Sequence, residues 1–197
     1  MKRVFSRTLC HHDRLEYADI SCTVLTYHAY SSIDNSRATH VIMISTHTII
    51  DHITSTYPDI VIKLTWGETA LFYNPGHQRR HGVYFATLKD HDGANDTASH
   101  LNRDTVYRFA FGLPITIYTQ LFGPRPRRPT RGHTVSMLHD FTVCNQLMPH
   151  PVYAWMGWVQ ILSPDATTYQ TLQPLLMESH MNAQKKFARR TTNPADE

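Results

Sequence analysis

The stretch that most constrains the fold runs from Pro149 to Leu162, PHPVYAWMGWVQIL, where Tyr153, Trp155 and Trp158 precede and enter an apolar strand. From Gly157 to Leu162 a period of two puts Trp158, Gln160 and Leu162 on one face and Val159 and Ile161 on the other, the second pair expected to face a core. Ser163-Pro164-Asp165 is turn chemistry, and Thr167 stands three residues before Gln170, the capping-box spacing of a helix start. Leu172, Leu175, Leu176, Ala183 and Phe187 then recur at helical spacing, with Gln173, Glu178, Asn182, Lys185 and Lys186 on the other face. Pro174 removes one backbone hydrogen bond and crowds the Gln170 carbonyl, so the helix either kinks there or begins its regular part there.

Upstream, Ser45 or Thr46 caps a short helix with Ile49, Ile50, Ile53 and Tyr57 on one face, and Pro58 ends it. Ile60, Ile62, Leu64 and Trp66 alternate along one side of a strand, and Gly67-Glu68 leads into a second, Thr69 to Tyr73, as a hairpin. Val83 to Leu88 is apolar on both faces and reads as a central strand. Asp96 or Thr97 is expected to cap a one-turn helix through Leu101, with Asp96 accepting from Ser99. Val106 to Phe111 stacks Tyr107, Phe109 and Phe111 on one face and leaves Arg108 on the other. An arginine in mid-strand is either at an edge in water or in a buried ion pair, with Asp96 and Asp104 as candidate partners. Pro114 and Gly123 bracket a short helix. His139 to about Met148 reads as another, with Phe141, Cys144, Leu147 and Met148 apolar. The expected class is α+β: one antiparallel sheet with helices packed mainly on one face, in a single domain over 43–190. Residues 1–42 lack a sustained period and are expected to be a disordered or loosely docked extension, with Met43 as an alternative initiator; 191–197 form a tail.

Composition bounds the function. No window reaches the roughly 20 apolar residues of a membrane span, and the basic start MKR is not followed by a signal-like apolar run, so a cytoplasmic protein without a membrane partner is expected. Cys10, Cys22 and Cys144 form no CxxC pair, and Cys144 reads as an inert core thiol. His11-His12 with Cys10 and Cys22 matches no zinc pattern, and Asp90-His91-Asp92 lacks EF-hand and HExxH spacing and reads as a solvated loop. There is neither a GxSxG elbow nor a glycine-rich phosphate loop. No catalytic residue, metal or cofactor is assigned. A net charge of +3 does not by itself call for nucleic acid, but PRPRRPTRGH holds Arg125, Arg127, Arg128 and Arg131 in a proline-stiffened strip, the candidate phosphate contacts.

Four runs in order carry a resemblance: LTWGETALFYNPG, FATLKDHDG, DTASHLNRDTVYRFAFGLP and HDFTVCNQLMPHPVYAWMGWVQILSP. Over roughly 43 to 190 the chain resembles a bacterial family, common in actinobacteria, known only as a domain of unknown function. The shared signature is an Asp-x-x-Ser-x-Leu-x-Arg motif, here Asp96, Ser99, Leu101 and Arg103, with Tyr107-Arg108 and Pro-His-Pro-Val-Tyr before Gly-Trp-Val. Where the family usually has an acid before the motif arginine, this chain has Asn102. The order of elements is also similar to the MmcQ/YjbR-like double-wing proteins, some of which are described as DNA-binding; that likeness concerns the fold.

Three functions compete. The preferred one is a non-enzymatic binding protein for a small molecule or protein partner, with ligand-binding candidates Arg103, Arg108, His150, Tyr153 and Trp158. The others are nucleic-acid binding through the loop 124–133 and an enzyme with a centre at Asp96, His139 and His150. Arginines opening into a pocket favour the first; pairing of Arg103 and Arg108 with Asp96 or Asp104 makes them structural. The enzyme requires its three residues to share one cavity.

Overall fold

A computed structural model describes residues 43–192. The readings at Cys10, His11, His12 and Cys22 lie outside the described residues. Helix α1 (Thr46–Thr56) starts at Ser45, whose hydroxyl accepts from the Thr48 N–H, and buries Ile49 and Ile53. Strands β1 (Ile60–Thr65), β2 (Glu68–Tyr73), β3 (Val83–Lys89) and β4 (Arg108–Gly112) follow, then α2 (Ile115–Phe122). A two-residue β5 (Met148–Pro149) and β6 (Trp158–Leu162) complete one antiparallel sheet in the order β1-β2-β3-β4-β6-β5. Helices α3 (Ala166–Thr171) and α4 (Gln173–Thr192) close the chain.

Alternation along these strands separates two faces. One carries Leu71, Phe85, Phe109, Phe111, Val159 and Ile161, which join Ile49, Ile53, Leu172, Leu176, Ala183 and Phe187 of the helices in a single buried core. Burying each large apolar side chain contributes about 1.5–3 kcal/mol, so this layer holds the domain together. β3 is not apolar on both faces as its sequence suggests, because a bulge breaks the alternation: Leu71 pairs with Ala86 but Phe72 with Tyr84, so Phe85 is an extra residue and Thr87 and Lys89 fall on the face away from the core. The Phe85 ring reaches Tyr57 and His180 at 5.7 Å.

Several elements differ from the sequence reading. Asp165, not Thr167, caps α3 by accepting from the Thr168 N–H, and Asn145 locks the same carboxylate. Of the two alternatives at Pro174, a new helix begins, with Pro174 in its first turn, where a missing N–H costs nothing. Residues 97–101 form turns, because the Asp96 carboxylate is drawn to Arg108 instead of capping. The expected helix over 139–148 is irregular: Asp140 accepts from the Thr142 backbone and hydroxyl, and Asn145 is left-handed at φ 59°. Cys144 consequently lies exposed, not in the core.

Gly82 enters β3 at φ +75°, and a Cβ there would lie 2.6 Å from the Tyr73 carbonyl oxygen. Gly82→Ala is expected to cost at least about 1–3 kcal/mol, read as a lower urea midpoint at unchanged m-value. A midpoint equal to wild type would show that the Tyr73–Asn74 corner can yield.

Candidate functional site

The opposite face of the sheet carries the chemistry. In register across it stand Glu68 and Phe72 on β2, Tyr84, Thr87 and Lys89 on β3, Arg108, Ala110 and Gly112 on β4, and Trp158 and Gln160 on β6. One end is aromatic. Phe72 and Tyr84 stack at 5.0 Å, and Tyr84 meets Trp158 at 4.8 Å across the intervening strand. Gly112 makes that reach feasible, since a Cβ there would meet the Trp158 indole at 3.2 Å. Trp66, at φ 54°, leaves the row that alternation gives it with Ile60, Ile62 and Leu64 and turns its ring to Phe72 and Tyr84, 69% exposed. The Tyr84 hydroxyl donates to Glu68; burial, then the Glu68 charge, pushes the phenol far up.

The other end is charged and buried. Lys89 and Arg108 are cross-strand partners, 8% and 1% exposed. Arg108 grips Asp96 with both terminal nitrogens, Nη1 to Oδ1 at 2.9 Å, and Lys89 Nζ lies 3.5 Å from Oδ2. Burial pushes the Asp96 carboxyl up, but the Arg108 hydrogen bonds and charge outweigh it and hold the group far below the usual carboxylate range. Of the two candidate partners for Arg108, the fold selects Asp96.

Two loops roof this face. Ser99 donates to Gln160 at 3.0 Å, and Gln160 donates to the Phe141 carbonyl at 3.3 Å. Arg103 donates to the carbonyls of His100, Ser99 and Thr142, bracing one loop against the other. From the turn after β5, His150 is buried, and its Nδ1 accepts from the Val152 and Tyr153 N–H groups at 3.0 and 3.2 Å. Two donors on Nδ1 place the neutral ring's proton on Nε2. Burial, reinforced by Arg108, drives the imidazole well below its ordinary pKa although Asp96 opposes this. Tyr153 stands 46% exposed beside that ring, centroids 4.9 Å apart.

The structure therefore brings Arg108, His150, Tyr153 and Trp158 to one face and uses Arg103 as a brace. Lys89, Glu68, Tyr84 and Thr87 also belong there, though the sequence reading passed over them. The basic loop lies against its own surroundings: Arg125 donates to the Trp155 carbonyl at 3.0 Å, Arg128 covers the Trp155 ring at 5.0 Å, Arg131 donates to Asn95 at 3.3 Å, and Arg127 is exposed. His139 is exposed against Phe122 and Phe141, with no hydrogen bond to Asp96 or His150. Two open grooves, of about 470 and 600 Å³, run beside the β1–β2 hairpin, where the first borders Trp66, Glu68 and Lys89, and along Leu101–Tyr107, where the second borders Arg103.

Residues 44–192 match the model of a family of unknown function, DUF6194. The chain belongs to that family. No curated protein and no solved structure matches it. The DUF6194 match spans α1 to α4 and so contains the whole roofed face. No helix among the described residues is long and apolar enough to cross a membrane.

Proposed function

We propose that this DUF6194 domain is a non-enzymatic binding module that holds a small molecule on the loop-roofed face of its sheet. The observation that carries the reading is the Arg108 guanidinium. It is 1% exposed, its terminal nitrogens are committed to Asp96, and its Nε–H has no acceptor among the described residues. An unpaired buried donor costs about 1–3 kcal/mol, and more on a charged group, so native folds seldom keep one without a use. The adjoining Tyr84 and Trp158 rings, tilted at 42° to each other, add apolar surface, the usual complement to a few placed polar groups in a ligand site.

Binding is favoured over catalysis by how the ionisable groups are spent. Asp96 is locked as an ion-pair partner and His150 Nδ1 is filled by two backbone donors, so neither has the open lone pair of a general base. Pairing with Asp96 makes the terminal nitrogens of Arg108 structural, so that in this reading only its Nε–H joins His150, Tyr153 and Trp158 as a recognition group, and a largely buried set of this kind suits a small molecule better than a protein surface.

A panel of small molecules titrated against intrinsic tryptophan fluorescence tests the proposal. A ligand on this face is expected to change the emission saturably, and Trp158→Phe should remove most of that change while circular dichroism stays the same. Silence across the panel, or responses that Trp158→Phe leaves intact, would overturn the assignment.

A further inference from the structure

The two edges of the sheet are built differently. At one end β5 is two residues long and finishes in Pro149, which has no N–H to offer a further strand, so that edge is blunted. At the other, β1 runs six residues without a proline, keeps an unbroken register against β2, and has no strand on its outer side among the described residues. The hairpin fixes what that outer side presents. Positive φ at both Trp66 and Gly67, 54° and 71°, is the type I′ pattern, which closes on Thr65 and Glu68 as a hydrogen-bonded pair. Such pairs alternate along an antiparallel ladder, so Lys63–Ala70 and Val61–Phe72 follow, and the N–H and C=O groups of Ile60, Ile62 and Leu64 point outward.

The side chains of the same three residues share one face, the face on which Leu71 enters the core, because Ile62 pairs with Leu71. The helices leave this margin open: Ile62 is 45% and Leu64 85% exposed. A charge is the usual guard on such an edge. Lys63 is the one charge in β1, and it is turned to the opposite face, where its ammonium donates to the Arg80 carbonyl and lies 5.8 Å over the Phe72 ring.

We infer that β1 is a dimerisation edge, pairing antiparallel with β1 of a second copy of this chain about a two-fold axis at Ile62. In that register Ile62 meets the partner's Ile62, and Ile60 meets the partner's Leu64 on either side of the axis. Three hydrogen-bonded pairs form, and every apolar side chain of the margin faces another. On the other face Lys63 falls opposite the partner's Val61. An axis at Lys63 would instead set two ammoniums directly opposite each other, which is destabilising. A second copy is the occupant because the strip complements itself, and because the blunted β5 edge gives β1 no head-to-tail partner, so assembly closes at two. One strand per subunit is a small contact, and reversible association is expected. The inference is independent of the roofed face.

Sedimentation equilibrium of the full chain, from low micromolar to near-millimolar concentration, tests it. The weight-average mass should rise with concentration from the monomer value toward twice that value. Leu64→Lys puts an ammonium among the apolar pairs from an already exposed position, and should hold the chain at the monomer mass with unchanged circular dichroism. The register has its own readout. Hydrogen-bonded partners lie about 5.5 Å apart at Cα, within disulfide reach, so mild oxidation of Ile62→Cys should link two copies through position 62, identified by peptide mapping. Leu64→Cys stands opposite the partner's Ile60 and should not link to its own counterpart. A chain that stays monomeric throughout overturns the proposal and leaves the edge to a strand of another protein. A dimer that Leu64→Lys leaves intact, or one that links through position 64 and not through 62, overturns it as well.

Discussion

Arg108→Met is expected to lower the stability of the domain by about 3–5 kcal/mol, the usual result of removing one partner from a buried ion pair. Its guanidinium is 1% exposed and holds both oxygens of Asp96, so deletion leaves the carboxylate with Lys89 alone, at 3.5 Å. The pair also anchors the 90–107 loop to β4, and the Ser99–Gln160 hydrogen bond on that loop should weaken with it. Combining Arg108→Met with Asp96→Leu removes both charges and leaves Lys89, whose flexible stem can carry its ammonium to water. The double variant is accordingly expected to recover a large part of the loss, with a coupling of about 1–3 kcal/mol for residues in direct contact. Urea unfolding of wild type, both single variants and the double variant measures this coupling. A single-variant loss under about 1 kcal/mol would place Arg108 among ordinary surface ion pairs, against its burial.

Arg108 also shows where sequence reasoning reaches its limit. Alternation along β6 was enough to assign Val159 and Ile161 to the core, and along β4 to set Phe109 and Phe111 on one face, because a period of two is a local property. The choice between Asp96 and Asp104 as partner was not local: it depends on how the 90–107 loop folds back over the sheet. Trp66 was misplaced for a different reason. A left-handed φ at a hairpin tip reverses the direction of one side chain, and alternation carries no sign of it. Lys89 was passed over because it opens the polar run KDHDG, yet β3 continues through it and pairs it with Arg108. The bulge at Phe85 had already broken the period that would have placed Lys89 beside Arg108 on the polar face. In 139–148, Phe141 and Leu147 are buried as a helix would have them, but Asp140 and Asn145 use their side chains to build a loop, and Cys144 falls outside the core.

Acid is expected to unfold the domain in two stages, the first set by His150. Burial lowers its pKa well below the ordinary 6.5, so as pH falls through that value the unfolded chain takes up a proton that the native state refuses. Stability is then lost by up to about 1.4 kcal/mol per pH unit for this one group, until the native ring itself protonates. His180, also lowered by burial, acts in the same direction and adds to the slope. Asp96 enters later. Its carboxyl is depressed in the native state, so its contribution is complete above the ordinary carboxylate pKa of about 3.9 and is lost only below it. Urea midpoints at pH 7.5, 6.5, 5.5 and 4.5 should fall steadily in wild type and more shallowly in His150→Gln, whose amide oxygen can still accept from the Val152 or Tyr153 N–H without titrating. The variant should therefore be less stable than wild type at pH 7.5 and close the gap as pH falls. Parallel lines for the two proteins would mean that the native ring protonates like a solvated histidine, and the assignment of Nδ1 as the acceptor of two backbone donors would fall with it.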